Sequence, residues 1–202
     1  MLLLGLGLAI FFAIHLVPTA PDIRDGLIAR FGRGAYAGLF SLVSLAGFAL
    51  IVYGFAHLQD PGLAGKNPVL WTPPVWARHI TFALMIPACI FLVAAYVPSR
   101  IRTTLKHPML IAIKTWALAH LIANGDLAGV VLFTGFLLYA VYDRISLKSR
   151  PEGGMGPLGA RTGGLSGDIT AVVGGLAFYA FMMVWGHQHL IGKALIAMPL
   201  AH

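Results

Sequence analysis

Six apolar runs separated by short polar segments account for most of the chain, at approximately 1–17, 35–57, 74–97, 108–124, 127–146 and 169–191. A helix needs roughly 17 to 25 residues to cross a bilayer core, so each run qualifies. The first is short and stops at Pro18 and Pro21, because proline cannot continue a helix ladder. No basic segment precedes it, which predicts a retained helix rather than a cleaved signal peptide. Asn124-Gly125-Asp126 predicts a tight turn between runs four and five. The stretch SRPEGGMGPLGARTGGLSGD, 149–168, predicts a glycine-rich loop, mobile unless a partner orders it. The expected architecture is an all-α, polytopic integral membrane helix bundle of about six transmembrane helices. It forms one domain over 1–202.

Composition supports this reading. Apolar residues make up 58% of the chain and charged residues 10%, against about 25% charged in soluble domains. The mean hydropathy is +0.84. The net charge of +7 sits in the loops. Arg24, Arg30, Arg33, Arg100, Arg102, Lys106, Arg144, Lys148, Arg150 and Arg161 fall in loops one, three and five, against Lys66, Arg78 and Lys193 on the other side. By the positive-inside rule the first set is cytoplasmic and both termini face outward. Charge placed this way is topogenic. With no basic-aromatic platform beside it, nucleic acid is not the expected partner. Cys89 is the single cysteine, so neither a disulfide framework nor a zinc thiolate site can form.

Ionisable groups inside apolar runs are costly and need a partner, a cofactor or a water pocket. The segment KHPMLIAIKTWALAHLIANGD, Lys106–Asp126, concentrates them. His107 opens the fourth helix, with Pro108 in the first turn. His120 follows thirteen residues later, about 20 Å further across. His15 is expected near the cytoplasmic face with His107. His57, His79, His120, His187 and His189 are expected toward the outer face. Lys114 shares a face with His107, and Trp116, His120 and Asn124 step by four into a second polar stripe ending near Asp126. Lys114 reads equally as a snorkelling lysine, and the stripe as interhelical hydrogen bonding. Tyr36, Tyr53, Trp71, Trp76, Tyr96, Tyr142 and Trp185 lie near the run ends, as in an interfacial belt. The glycines of GLFSLVSLAGFALIVYG predict close helix contact. No Ser/His/Asp set and no pair of catalytic carboxylates is legible.

Three blocks resemble the NnrU family: KHPMLIAIKTWALAHLIANGDLAGVVLFTGF, HLVPTAPDIRDGLIARFGRGAYAGLFSLVSLAGFALIVYG and the closing GHQHLIG. Bacterial members are linked to nitrite and nitric oxide reduction, and a plant relative is the 15-cis-zeta-carotene isomerase, which uses haem b. The resemblance therefore implies a bacterial cytoplasmic (inner) membrane protein with haem b as cofactor. It implies His15 and His120 as the iron-ligand pair and His107 and His57 as further site histidines. The relative's alternative cysteine ligand falls on Ala117, so exchange through a thiolate is not expected. The residues alone place His15 and His120 near opposite faces, and a pairing of His15 with His107 stays open.

Two functions follow from the resemblance. One is a haem protein acting like an isomerase on a lipophilic small molecule. The other is a non-enzymatic accessory factor that works with denitrification enzymes. Membrane lipid is a partner in either case. A third reading is a small membrane methyltransferase using S-adenosylmethionine. Lys106-His107-Pro108 resembles the Arg-His-Pro motif of isoprenylcysteine carboxyl methyltransferases, but Leu110 and Ala112 stand where tyrosine and glycine are expected.

Overall fold

A computed structural model describes residues 1–150 and 161–196. The chain runs α1 (Leu2–Leu16), α2 (Pro21–Phe31), α3 (Arg33–Leu58), α4 (Val75–Ala94), α5 (Arg100–Leu105), α6 (Pro108–Ala123), α7 (Leu127–Ser146), α8 (Leu165–Phe181) and α9 (His187–Ile191). A π-helical turn, Met182–Gly186, joins α8 to α9 without a break. Among the described residues, five segments are long and apolar enough to cross a membrane: Leu2–Thr19, α3, α4, α7 and Leu165–Ile191. The sixth, α6, is apolar but has 16 residues, or about 24 Å of helix. The chain is an all-α helical membrane bundle.

Each long helix packs against its neighbours in the lateral order α3, α1, α7, α6, α4, α8. Glycines set the closest approach. A Cβ on Gly54 would stand 2.6 Å from the backbone nitrogen of Leu4, and one on Gly47 2.9 Å from that of Phe11. Gly7 meets Ile51 on the same antiparallel register. Two glycines of the 38–54 segment thus do what was expected of them, while Gly38 faces open space. Gly175 does the same for α8, resting on the backbone of Ile90 in α4. Outward-facing Leu39, Leu42, Leu45 and Phe48 on α3, and Ile169, Val173 and Leu176 on α8, are exposed, as lipid-facing positions are.

The connections depart from the expected loops. Residues 18–34 contain α2, which begins with Pro21 at a first-turn position and ends at Gly32, φ 80°. Asn124-Gly125-Asp126 is an extended crossing rather than a tight turn. The Gly125 carbonyl accepts from Leu70 and Trp71, and Val69 bridges to Asp126. Pairing with this loop satisfies backbone groups that a turn would have closed internally. Only glycine fits at 125, since a Cβ there would meet the Trp71 carbonyl oxygen at 1.8 Å. The predicted glycine-rich loop lies partly outside the described residues, at 151–160, and its last four residues, 165–168, begin α8.

Four polar residues, Asn67, Asp126, Thr81 and Asp168, knit the elements together. Buried Asn67 donates to the Leu58 carbonyl and to Asp126 and accepts from the Ala128 amide, while Asp126 caps α7 at Gly129. Buried Thr81 on α4 donates to the Ala119 carbonyl on α6 at 2.8 Å. At the other end Asp168 accepts from the Arg100 and Ile101 amides.

Candidate functional site: two histidines on one aromatic core

One buried cluster links α1, α3, α6 and α7 through Leu4, Leu8, Ile51, Phe55, Ala117, Phe133 and Phe136. His15 and His120 both border it. His120 lies in the last turn of α6, its ring stacked on Phe133 (centroids 4.7 Å) and tilted against Trp116 (5.3 Å). Its Nδ1–H donates to the Trp116 carbonyl at 2.8 Å. His15 ends α1, stacked on Phe11 (4.0 Å), with Phe40 and the edge of Tyr139 nearby. Its Nδ1–H donates to the Phe11 carbonyl, also at 2.8 Å. In both rings the tie fixes the tautomer and leaves Nε2 as the bare nitrogen.

That tie is the arrangement a metal-ligating imidazole uses, with one nitrogen for the metal and the other held by a carbonyl. Taken singly, each histidine has a nitrogen that could hold haem iron. As a pair they do not. Two imidazole nitrogens on one iron stand about 4 Å apart. Here His120 lies level with Phe133 and His15 with Tyr139. Those six residues of α7 span about 9 Å. The rings of Phe11, Phe136 and Trp116 stand in succession between them, at 5.4 Å from one to the next. The resemblance-derived pair is therefore not brought together in this packing.

The other candidates are dispersed. His107 caps the start of α6, at the opposite end of that helix from His120. The elbow before it is a γ-turn. Lys106 has φ 62° and the His107 amide bonds the Leu105 carbonyl at 2.7 Å, a rare and strained conformation for a residue with a side chain. The motif-like Lys106-His107-Pro108 thus forms a corner between α5 and α6. Lys114 is half-buried on α6. The stripe Trp116, His120, Asn124 exists, but it bonds along its own helix, with Asn124 donating to the His120 carbonyl. Asp126 is a helix cap. His57 stacks on Tyr53 at the far end of α3. His187 and His189 ride on α9, which packs against α3, and Ile191 reaches the shared core. His79 is exposed.

Phe11, Phe133, Phe136 and Tyr139, the walls of the two histidine sites, are absent from the candidates read from sequence. Their signal was a three-residue step along α7, Phe133, Phe136, Tyr139, which puts aromatic rings on one face. Tyr139 also donates from its hydroxyl to the His15 carbonyl at 3.1 Å. Of the expected belt, Tyr53, Trp71, Trp76, Tyr96, Tyr142 and Trp185 are exposed, whereas the Tyr36 hydroxyl is buried with no hydrogen-bond partner among the described residues.

An all-helical membrane bundle with imidazoles bordering an aromatic core defines the class. The chain belongs to the NnrU family, described as NnrU protein, which matches it over residues 3–195. Comparison with curated proteins and with solved structures gives no match.

Proposed function

We propose that the chain is a haem b-binding, multi-pass protein of the bacterial cytoplasmic membrane, in which His120 would hold the group through its imidazole. The observation that carries this reading is the state of His120. Its Nδ1 is committed to the Trp116 carbonyl and its ring is flanked by Trp116 and Phe133. When bound, the haem would supply a redox-active, Lewis-acidic iron to a lipophilic substrate. The chain's own residues have separate tasks. The Trp116 carbonyl orients the imidazole and holds its tautomer. Phe133 and Trp116 keep water from the ring. Ala117, fully buried beside them, offers no thiolate, so ligation rests on nitrogen.

The test is an absorption spectrum, oxidised and reduced, of protein purified in detergent from haem-replete cells. A Soret band that shifts on reduction is expected, and a spectrum without one contradicts the proposal.

The filled core favours a second reading. Phe136 and Phe133 are buried where a substrate between the two histidines would lie. A non-catalytic accessory role beside nitrite and nitric oxide reducing enzymes needs no such pocket. It predicts slower denitrification in a deletion strain, and an unchanged rate would count against it.

A further inference from the structure

A groove of about 310 Å³ opens where α4, α5 and α8 meet, away from both histidines. Phe91, Ile101 and Leu105 form its apolar side, and Arg100, Thr104 and Asp168 its polar side. We propose that this groove binds an anionic phospholipid, with the phosphate on Arg100 and Thr104 and the start of an acyl chain along Phe91, Ile101 and Leu105.

The polar side is built and held in one geometry. Asp168 Oδ1 accepts from the Arg100 and Ile101 amides at 2.7 and 3.1 Å, and Oδ2 accepts from Arg100 Nε at 2.5 Å. The carboxylate is turned inward with 14% of its side chain exposed, and the guanidinium is turned outward with 62% exposed. Only Nε of the guanidinium is engaged, which leaves the Nη1 and Nη2 hydrogens of this exposed, groove-lining side chain without a hydrogen bond among the described residues. An arginine pinned through Nε presents that fork with little orientational entropy left to lose, which suits a phosphate. The Thr104 hydroxyl lies one helical turn along the same face of α5.

The walls are rigid. A Cβ on Gly163 or Gly167 would stand 2.0 or 1.9 Å from the Pro98 carbonyl oxygen, so the entry to α8 lies flat on the turn before α5. Ser99 caps α5, and Arg102 Nη1 reaches across to the Arg161 carbonyl at 2.8 Å. The surroundings select a lipid rather than a soluble anion. Leu165 and Ile169, which flank the lining residue Asp168 on α8, are exposed apolar residues, as lipid-facing positions are. Among the described residues here, exposed Arg100, Lys106 and Arg161 outnumber Asp168. Juxtamembrane clusters of this sign attract anionic headgroups.

The proposal is tested by native mass spectrometry of the full chain in detergent, titrated with phosphatidylglycerol, phosphatidylcholine or inorganic phosphate. Wild type is expected to hold phosphatidylglycerol at least tenfold more tightly than phosphatidylcholine, with millimolar phosphate displacing little of it. Arg100→Gln should bring the ratio close to one, and Thr104→Val should lower it a few-fold. If Arg100→Gln does not fold, Arg100→Lys decides. It keeps the charge but loses the fork, and a lowered ratio is expected. Equal retention of the two lipids by wild type overturns the proposal, as does an unchanged ratio in the deciding Arg100 variant. Displacement of the lipid by phosphate overturns it in favour of a free-anion site.

Discussion

His15 and His120 make the same local bond, yet they stand in different settings. Each closes an apolar helix and ties Nδ1 to the carbonyl four residues back. Around His120 the walls come from α6 and α7, with Phe133 buried behind the ring. Around His15 they come from α1, α3 and α7, and its depth follows from how far α1 slides along the glycines of α3. The tie is therefore a property of a histidine in a helix. The distance between the two rings is a property of the bundle. An account that pairs them must change the bundle's packing, whereas one that uses them singly need not.

The largest expected effect comes from moving one histidine without the other. Gly54→Leu sets a side chain against the Leu4 backbone, which has no soft atom to give way. Overpacking typically costs 1–3 kcal/mol and occasionally more, and with only backbone in the way a loss above about 3 kcal/mol is expected. The expected outcome is loss of monodisperse protein on gel filtration. A well-folded variant would show that α1 can shift, and the fixed depth of His15 would fall with that result.

Next is Phe133→Ala, which removes the ring stacked on His120 and leaves a cavity beside it. A loss of about 3 kcal/mol is expected, at the low end for such truncations, read as a lower detergent melting midpoint. Phe40→Ala at the half-buried His15 site should cost clearly less. Equal losses would erase the contrast between the two settings.

Asn67→Ala should cost about 1–3 kcal/mol by leaving the Leu58 carbonyl, Asp126 and the Ala128 amide without their partner. Backbone hydrogen exchange should rise at the start of α7, near Phe133, and stay unchanged near Tyr139. The smallest effect is Tyr139→Phe, which removes only the bond to the His15 carbonyl. Side-chain hydrogen bonds inside membrane bundles average about 0.6 kcal/mol. A loss near that size marks Tyr139 as a support for the end of α1, and a loss several times larger would make it part of a wider network.

The bundle itself was legible in the chain because apolar runs and prolines act locally. The run 127–146 coincides with α7, and 108–124 ends one residue beyond α6. The aromatic walls were harder to read, since Phe133 and Phe136 become neighbours of His120 only when α7 packs on α6. The crossing at Gly125 and the Asn67 knot depend on residues about sixty positions apart, with no local signal. The Asp168 cap on α5 joins segments 67 and 68 positions apart. The π turn before His187 also bears no proline or other mark in the sequence.

The measurement that bears most directly on the separate-histidine account is haem content per polypeptide in His120→Ala and His15→Ala, purified side by side with wild type from haem-replete cells. The account predicts that His120→Ala loses most of its haem absorbance, while His15→Ala keeps it with an unchanged Soret position. A Soret band lost or shifted equally in both variants would contradict it, and would mean that the two imidazoles reach one iron.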